Sequence, residues 1–384
     1  MYELLWFLLP VAAVSGWYVS QKSGQGMRFA PEKQIDLNTG YYQGINYLLN
    51  EQPDKALDVF VKMLEVNSET VELHLALGSL FRRRGEVDRA ILLHQNLIAR
   101  PTLAPKQREY ALLELANDYL KAGLLDRAER LFLDLKGSKD YSQSALAGLV
   151  EVYQQERDWD QAISTAKSYQ KVSGKSQSEI IAQYYCEMAD KMRIARKNDK
   201  VPGILKKALQ ANSNCVRANL ILAQHEMDMF NFKAASKAYL RVIDQDARFF
   251  SLAINPLKEC LAKLGESNQL VRHLQSVLGS RWNRDALAFV NEKFGMEPNG
   301  QEALSLIEKQ LNEKPNLRTL SRYVETVQAS TQDAKNEIVN KIARTLKEIE
   351  NSTADYRCEH CGYASHALFW QCPSCKTWDS VDPL

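Results

Sequence analysis

Glycine and proline are scarce, at 17 and 11 in 384 residues. Together they make up about 7% of the chain, against roughly 12% in ordinary usage. Collagen-like repeats, turn-rich all-β folds and low-complexity disorder all draw on these residues, so their scarcity leaves room for long helices. A surplus of charge of one sign is missing as well. The 49 Lys and Arg against 47 Asp and Glu leave a net charge of +2, and a dedicated nucleic-acid binder carries a basic excess. The chain has no H-E-x-x-H, no G-x-S-x-G and no G-x-G-x-x-G, so the usual motif-borne chemistries are unsupported. Gly174-Lys175-Ser176 ends like a P-loop, but Tyr169 stands where the earlier glycine belongs and the preceding segment reads as helix. No enzyme is expected. The seven cysteines are odd in number, and four fall within the last 27 residues. A secreted disulfide framework spreads its cysteines more evenly.

One long apolar run is present, at the N-terminus. Leu4 to Val19 carries no charge and approaches the roughly 20 residues a bilayer-spanning helix needs. Trp17 and Tyr18 suit an interfacial aromatic belt, and Pro10 is tolerable in a membrane helix. Glu3 precedes the run, whereas Lys22, Arg28 and Lys33 follow it. Positive flanks stay on the cytoplasmic side, so the bulk of the chain is expected to face the cytoplasm. A cleaved signal peptide would carry a basic leading region and a clear A-x-A site; the first is missing, and only Ala12 and Ala13 keep the second open. The reading is a membrane anchor over 1–21 and a juxtamembrane linker over 22–36.

The middle of the chain repeats. Ala56, Ala90, Ala128, Ala162 and Ala235 recur at intervals of 34, 38, 34 and 73 residues, with Val201 filling the missing place in the last. Twelve residues before each lies another position, held by Gly44, Gly78, Ala116, Val150, Ala189 and Ala223. A bulky neighbour usually precedes it (Leu77, Leu115, Leu149, Met188, Leu222). Two antiparallel helices pack closely where small residues meet at their crossing, and large neighbours fill the surrounding grooves. Gly85 and Gly123 fall where a left-handed cap must end the first helix of a pair. Pro101 and Pro315 fall where the second helix must stop. The pattern resembles the tetratricopeptide repeat, W-x2-L-G-x2-Y…A-x3-F…P with a period of 34, best over residues 75–97 and 112–135. The Trp is absent, with His74, Leu112 or Leu146 in its place, and positions 201, 258 and 270 carry Val, Lys and Leu where a small residue is expected. Repeats are placed near 37–70, 71–104, 109–142, 143–176, 182–215, 216–249, 251–284 and 284–317, with a last helical pair over 317–351. Such arrays bind proteins or peptides on an extended surface rather than converging side chains on one dry pocket.

The tail reads Cys358-x2-Cys361-Gly362-Tyr363, ten intervening residues, then Cys372-Pro-x-Cys375-Lys376. Two C-x2-C knuckles can hold four thiolates tetrahedrally around one zinc or iron ion. A 33-residue tail (352–384) has too little core of its own, so the metal would supply much of its folding energy. Disulfides are disfavoured in the cytoplasm, and a thioredoxin-type C-x2-C would need a βαβ unit. The knuckles resemble those of rubredoxins, with Lys376 replacing the glycine usual after the last cysteine; the short spacing also resembles a zinc ribbon. Iron and zinc both stay open. His360 and His366 read as surface residues, and His74 and His94 as core. Cys186, Cys215 and Cys260 read as isolated buried thiols. Arg82-Arg83-Arg84 and the cluster Lys191, Arg193, Arg196, Lys197 and Lys200 read as solvated helix faces, with a partner surface or anionic lipid heads as the alternative.

Anchor, repeat array and four-cysteine tail occur in this order in the lipopolysaccharide assembly protein B family of Gram-negative bacteria, which the whole chain resembles. The fold class expected is all-α: a tetratricopeptide-repeat solenoid with an N-terminal transmembrane helix and a small rubredoxin-like or zinc-ribbon metal domain. The resemblance implies an adaptor at the inner membrane that promotes degradation of the deacetylase LpxC by the membrane protease FtsH, restrained by the inner-membrane regulator PbgA, also called YejM. It implies no nucleic-acid partner and leaves self-association open. A rubredoxin-like electron carrier and a protease-independent envelope scaffold are the competing readings.

Overall fold

A computed structural model describes residues 37–50, a few positions from 52 to 59, residues 71–266 except 102, isolated positions from 308 to 327, and residues 337–383. The anchor and linker over 1–36 lie outside these residues, as do Pro315, Leu270 and most of the repeats placed at 251–317. Among the described residues no helix is long and apolar enough to cross a membrane.

The described chain opens with α1 (Leu37–Leu49) and continues as helical hairpins. These pair α2 (Val71–Arg83) with α3 (Val87–Ile98), and α4 (Pro105–Lys121) with α5 (Leu125–Leu135); α6 (Ser142–Glu156) and α7 (Trp159–Ser173) follow. The next pairs are α8 (Ser178–Ile194) with α9 (Val201–Ala211), and α10 (Val216–Asp228) with α11 (Phe232–Gln245). Then come α12 (Phe250–Leu264), α13 (Glu337–Ser352) and three short strands, β1 (Tyr356–Cys358), β2 (Ala364–Ser365) and β3 (Val381–Pro383). The chain divides into two compact units, Met1–Val152 and Tyr153–Leu384.

The small residues read from the sequence sit where close packing needs them. Ala56, Ala90, Ala128, Ala162 and Ala235 have no exposed surface, nor have Ala116, Ala189 and Ala223. Val201 is equally buried, so a β-branched residue serves at that crossing. Val150 departs from the expectation. It is half-buried, and the close approach belongs instead to Gly148, where a Cβ would lie 2.3 Å from Phe132 Cζ. Two helices begin four residues earlier than the repeat frame placed them, at Pro105 and Ser178; proline suits a first helical position because its missing N–H needs no partner there.

The turns inside the hairpins share one hydrogen-bond pattern. After α2, Glu86 N–H reaches back to Phe81 O and Gly85 N–H to Arg82 O. The same pair of bonds recurs after α4, α6, α8, α10 and α12. This Schellman arrangement puts one residue in the left-handed region. Gly85 and Gly123 fill it in the first unit, at φ +82° and +75°. In the second, Arg157, Arg196 and Phe230 fill it at +57°, +55° and +60°, and Gly265 fills it after α12 at +72°. Gly174, the P-loop mimic, is the left-handed cap of α7, at φ +69°.

In the first unit Arg82 is drawn inward rather than solvated. It makes ion pairs with Glu114 and Asp118, each at 2.6 Å. Asp118 also hydrogen-bonds His94 Nδ1, and both side chains are fully buried. His74 Nε2 lies 2.9 Å from Arg100 Nη2. Both histidines therefore belong to the packing of the repeats. A groove of about 670 Å³ runs along this unit, lined by Leu73, Leu75 and Leu80 with Tyr110 and Tyr141; the two tyrosine rings stack at 5.8 Å.

Candidate metal centre

The tail is organised by a three-stranded antiparallel sheet in the order β2-β1-β3. Cys358 pairs with Val381 across β1 and β3, and Tyr356 with Ser365 across β1 and β2. The two knuckles are built alike. Cys358 N–H donates to Tyr363 O at 2.8 Å, and Cys372 N–H to Thr377 O at 2.9 Å. Gly362 N–H returns to Cys358 O, and Lys376 N–H to Cys372 O, both at 2.9 Å. Each knuckle closes on a left-handed residue, Gly362 at φ +76° and Lys376 at +60°. Lys376, the departure seen in the sequence, thus adopts the backbone of the glycine it replaces.

These turns bring Cys358, Cys361, Cys372 and Cys375 together, with all four Sγ atoms within 4.8 Å of one another. Cys358 Sγ lies 3.7 Å from Cys375 Sγ, and Cys361 Sγ 3.7 Å from Cys372 Sγ. Four sulfurs about 2.3 Å from a central ion would sit about 3.8 Å apart at the corners of a tetrahedron. The donor set therefore fits a single tetrahedral ion. Four soft sulfur donors suit zinc or iron. The surroundings also favour thiolate at two positions. The Thr377 hydroxyl, with its backbone N–H, pulls the Cys375 thiol down to about 5, and the Ser380 hydroxyl lowers that of Cys358. Burial pushes Cys372 up to about 11, so that sulfur needs a cation to be held as thiolate. Cys358 and Cys372 are buried while Cys361 is exposed. His360 is exposed, and His366 turns to Asp355, 3.2 Å from its carboxylate; neither joins the sulfur cluster.

The apolar cluster inside the tail is small: Cys358, Cys372 and Val381, with Tyr356, Leu368 and Cys375 around them. Much of the tail's apolar surface is spent on the helical repeats of the second unit. Leu368 and Trp370 pack against the core of α10, α11 and α12. The Trp370 ring stacks on Phe249 with centroids 5.5 Å apart, and the Arg217 guanidinium lies 5.9 Å from its centroid. Arg217 is itself held by Glu187 and Asp190 at 2.7 and 2.9 Å. Trp378 donates its indole N–H to Gln154 Oε1 and presents its edge to the buried Tyr184 ring, 5.9 Å away. Arg248 pairs with Asp382, and with Glu359 at 3.5 Å. From the sequence the metal tail is expected to pack on the last repeats; the particular residues of this seat were missed. Its one available signal was Trp370 and Trp378 in a tail too small to bury them.

Cys186 and Cys215 are not isolated. Their Sγ atoms lie 3.9 Å apart, fully buried between α8 and the start of α10. Cys260 is buried within the core of α10 to α12.

Fold and site define a class: tetratricopeptide-repeat proteins that end in a rubredoxin-type metal domain. Residues 73–109 match the tetratricopeptide repeat model, and residues 356–383 the model of the rubredoxin metal binding domain. Lipopolysaccharide assembly protein B of Escherichia coli K12 is 34% identical over 385 positions, covering all of this chain and 98% of the relative. The protein of that name from Haemophilus influenzae is 33% identical over 398 positions, with the same coverage. A solved tetratricopeptide-repeat structure from Cytophaga hutchinsonii is similar at 12% identity with a TM-score of 0.39, covering 65% of this chain and 98% of that one. The chain belongs to the lipopolysaccharide assembly protein B family.

Proposed function

We propose that this protein is a membrane-tethered scaffold in lipopolysaccharide assembly, one that presents the deacetylase LpxC to the protease FtsH. The observation that carries the reading is similarity over the whole length to proteins named for lipopolysaccharide assembly. Its elements are those of a scaffold. Stacked helical hairpins offer extended surface, and the leucine- and tyrosine-lined groove of the first unit has the size and apolar character to hold a client segment. Tethering by the N-terminal apolar run would hold a cytoplasmic client near a membrane protease and raise its effective concentration. PbgA would restrain the adaptor at the inner membrane.

In this reading Cys358, Cys361, Cys372 and Cys375 hold one zinc or iron ion whose work is structural. The ion, when bound, ties the two knuckles together and lets Trp370 and Trp378 seat on the repeats. In cells lacking the protein LpxC should persist longer, and crosslinking of the full chain in its own membranes should recover both protease and deacetylase. Unchanged LpxC turnover in the deletion strain would reject the adaptor role.

A second reading, electron transfer through an iron–thiolate centre, draws on the exposed Cys361, which would give electrons a short path to the surface. Protein purified without added zinc would then show iron–thiolate absorption that bleaches on reduction. A colourless zinc site removes this reading.

A further inference from the structure

We propose that the edge formed by the α8–α9 and α10–α11 turns docks on the anionic headgroup surface of a membrane. Ile194 ends α8 with 85% of its surface exposed, and Met229 and Phe230 end the neighbouring α10 at 53% and 80%. Such exposure of three large apolar side chains on adjoining turns is unusual for a solvated surface. The turns are held side by side. Arg193 pairs with Asp228 at 3.0 Å, and Asn198 Nδ2 lies 3.9 Å from Met229 Sδ. Around the apolar tips stand Arg196, Lys197 and Lys200, all exposed.

The acids nearby do not cancel these cations. Asp190 and Asp228 are engaged by Arg217 and Arg193, and Glu226, half-buried, accepts from the neutral Asn231 and keeps its charge. Asp199 alone stands exposed among the three cations. The backbone adds an independent observation. Arg196 and Phe230 both occupy the left-handed turn position, at φ +55° and +60°, where the first unit uses glycine. A side chain at such a position is strained, and the result is an exposed cation and an exposed aromatic ring on two adjacent turns.

The chemistry selects the occupant. Projecting apolar tips ringed by cations match the boundary between headgroups and acyl chains, where rings insert shallowly and lysines meet anionic lipid. The shallow groove at this edge is lined by Asp190 and Asp228 as well as Arg193 and Arg196, and such a mixed lining does not select an acidic protein segment. The inference rests on the membrane placement proposed above, and its test separates the two.

Full-length protein is reconstituted in nanodiscs of phosphatidylcholine alone and of phosphatidylcholine with one quarter phosphatidylglycerol, and amide hydrogen exchange is followed. Incorporation into the neutral discs reports the tether. Slower exchange of residues 194–200 and 229–233 in the anionic discs alone supports the docking edge. Lys197→Gln with Lys200→Gln should abolish that difference, since each lysine removed lowers affinity for anionic lipid about fivefold. Phe230→Ser should weaken it, and unchanged circular dichroism would confirm that these variants fold. If the chain fails to enter neutral discs yet binds anionic vesicles through this edge, the tether fails and the edge stands. Equal exchange in both discs overturns the edge. Protection that appears only on adding an acidic protein partner, whatever the lipid, overturns it as well.

Discussion

Gln154 Oε1 accepts two hydrogen bonds at once, from the indole N–H of Trp378 and from the hydroxyl of Tyr184, both at 2.8 Å. One amide oxygen thus joins the end of α6, the middle of α8 and the metal-binding tail. Trp159 stacks on Tyr184, with ring centroids 5.4 Å apart.

Trp378→Phe keeps a ring on Tyr184 and removes one donor, so it should cost about 1 kcal/mol. Trp378→Ala loses the ring as well and should cost about 2–3 kcal/mol. Urea denaturation gives the magnitudes, and hydrogen exchange gives the location. If Trp378→Ala leaves amides of 178–194 exchanging at the wild-type rate, the tail does not brace α8.

Gly78 faces the His94 ring so closely that an added Cβ would lie 2.3 Å from Nε2 and 2.4 Å from Cε1. Gly78→Ala should therefore destabilise the first unit by about 2–3 kcal/mol, although alanine is the better helix former. In a His94→Ala background the clash is gone. The same substitution should then stabilise by about 1 kcal/mol. A penalty that persists in the double variant would show that His94 is not the obstacle.

Lys376 occupies a left-handed position that glycine fills in the other knuckle. Lys376→Gly should stabilise the tail by about 1 kcal/mol, and Gly362→Ala should weaken it by a similar amount. Release of metal to a colorimetric chelator gives the readout: slower for Lys376→Gly, faster for Gly362→Ala. Identical release rates would mean that knuckle strain does not govern retention.

Burial, then a hydrogen bond shared with Glu359, raises the Asp382 carboxyl to about 7, and the neighbouring Arg248 offsets this only in part. In the unfolded chain the same group titrates near 3.9. Between about pH 4 and pH 7 the folded protein therefore binds more protons. The contribution of this group to stability is fully present below about pH 4 and is lost as the pH rises through 7. Asp382→Asn should flatten the slope of stability against pH in that window. A carboxyl carbon titration of Asp382 with its midpoint below about 5 would show that Arg248 outweighs burial.

Features that depend on local chemistry were readable from the sequence. Gly85 and Gly123 announced left-handed caps because glycine is the residue that adopts that backbone without a Cβ penalty. The equivalent turns at Arg157, Arg196 and Phe230 carry no such sign. Their conformation is imposed by the surrounding hairpin, and nothing in their composition reveals it. The four cysteines were legible because two short loops bring them together with little closure entropy. That the tail packs on repeats was expected, but the residues that receive it were not legible, because Gln154, Arg217 and Arg248 look like ordinary helix residues until distant chain folds onto them. Cys186 and Cys215, separated by 29 positions, meet for the same reason. Val150 misled because the helical register of α6 brings Gly148, not Val150, against Phe132.

The bond from Trp378 to Gln154 spans 224 positions of chain, which sets an order of events during synthesis. At about 5–20 residues per second, Gln154 leaves the ribosome roughly 10–45 s before its partner has been made. The hairpins of the second unit must stand through that interval without their final brace. The second unit therefore acquires its brace only after chain made long after its own hairpins has folded back onto them.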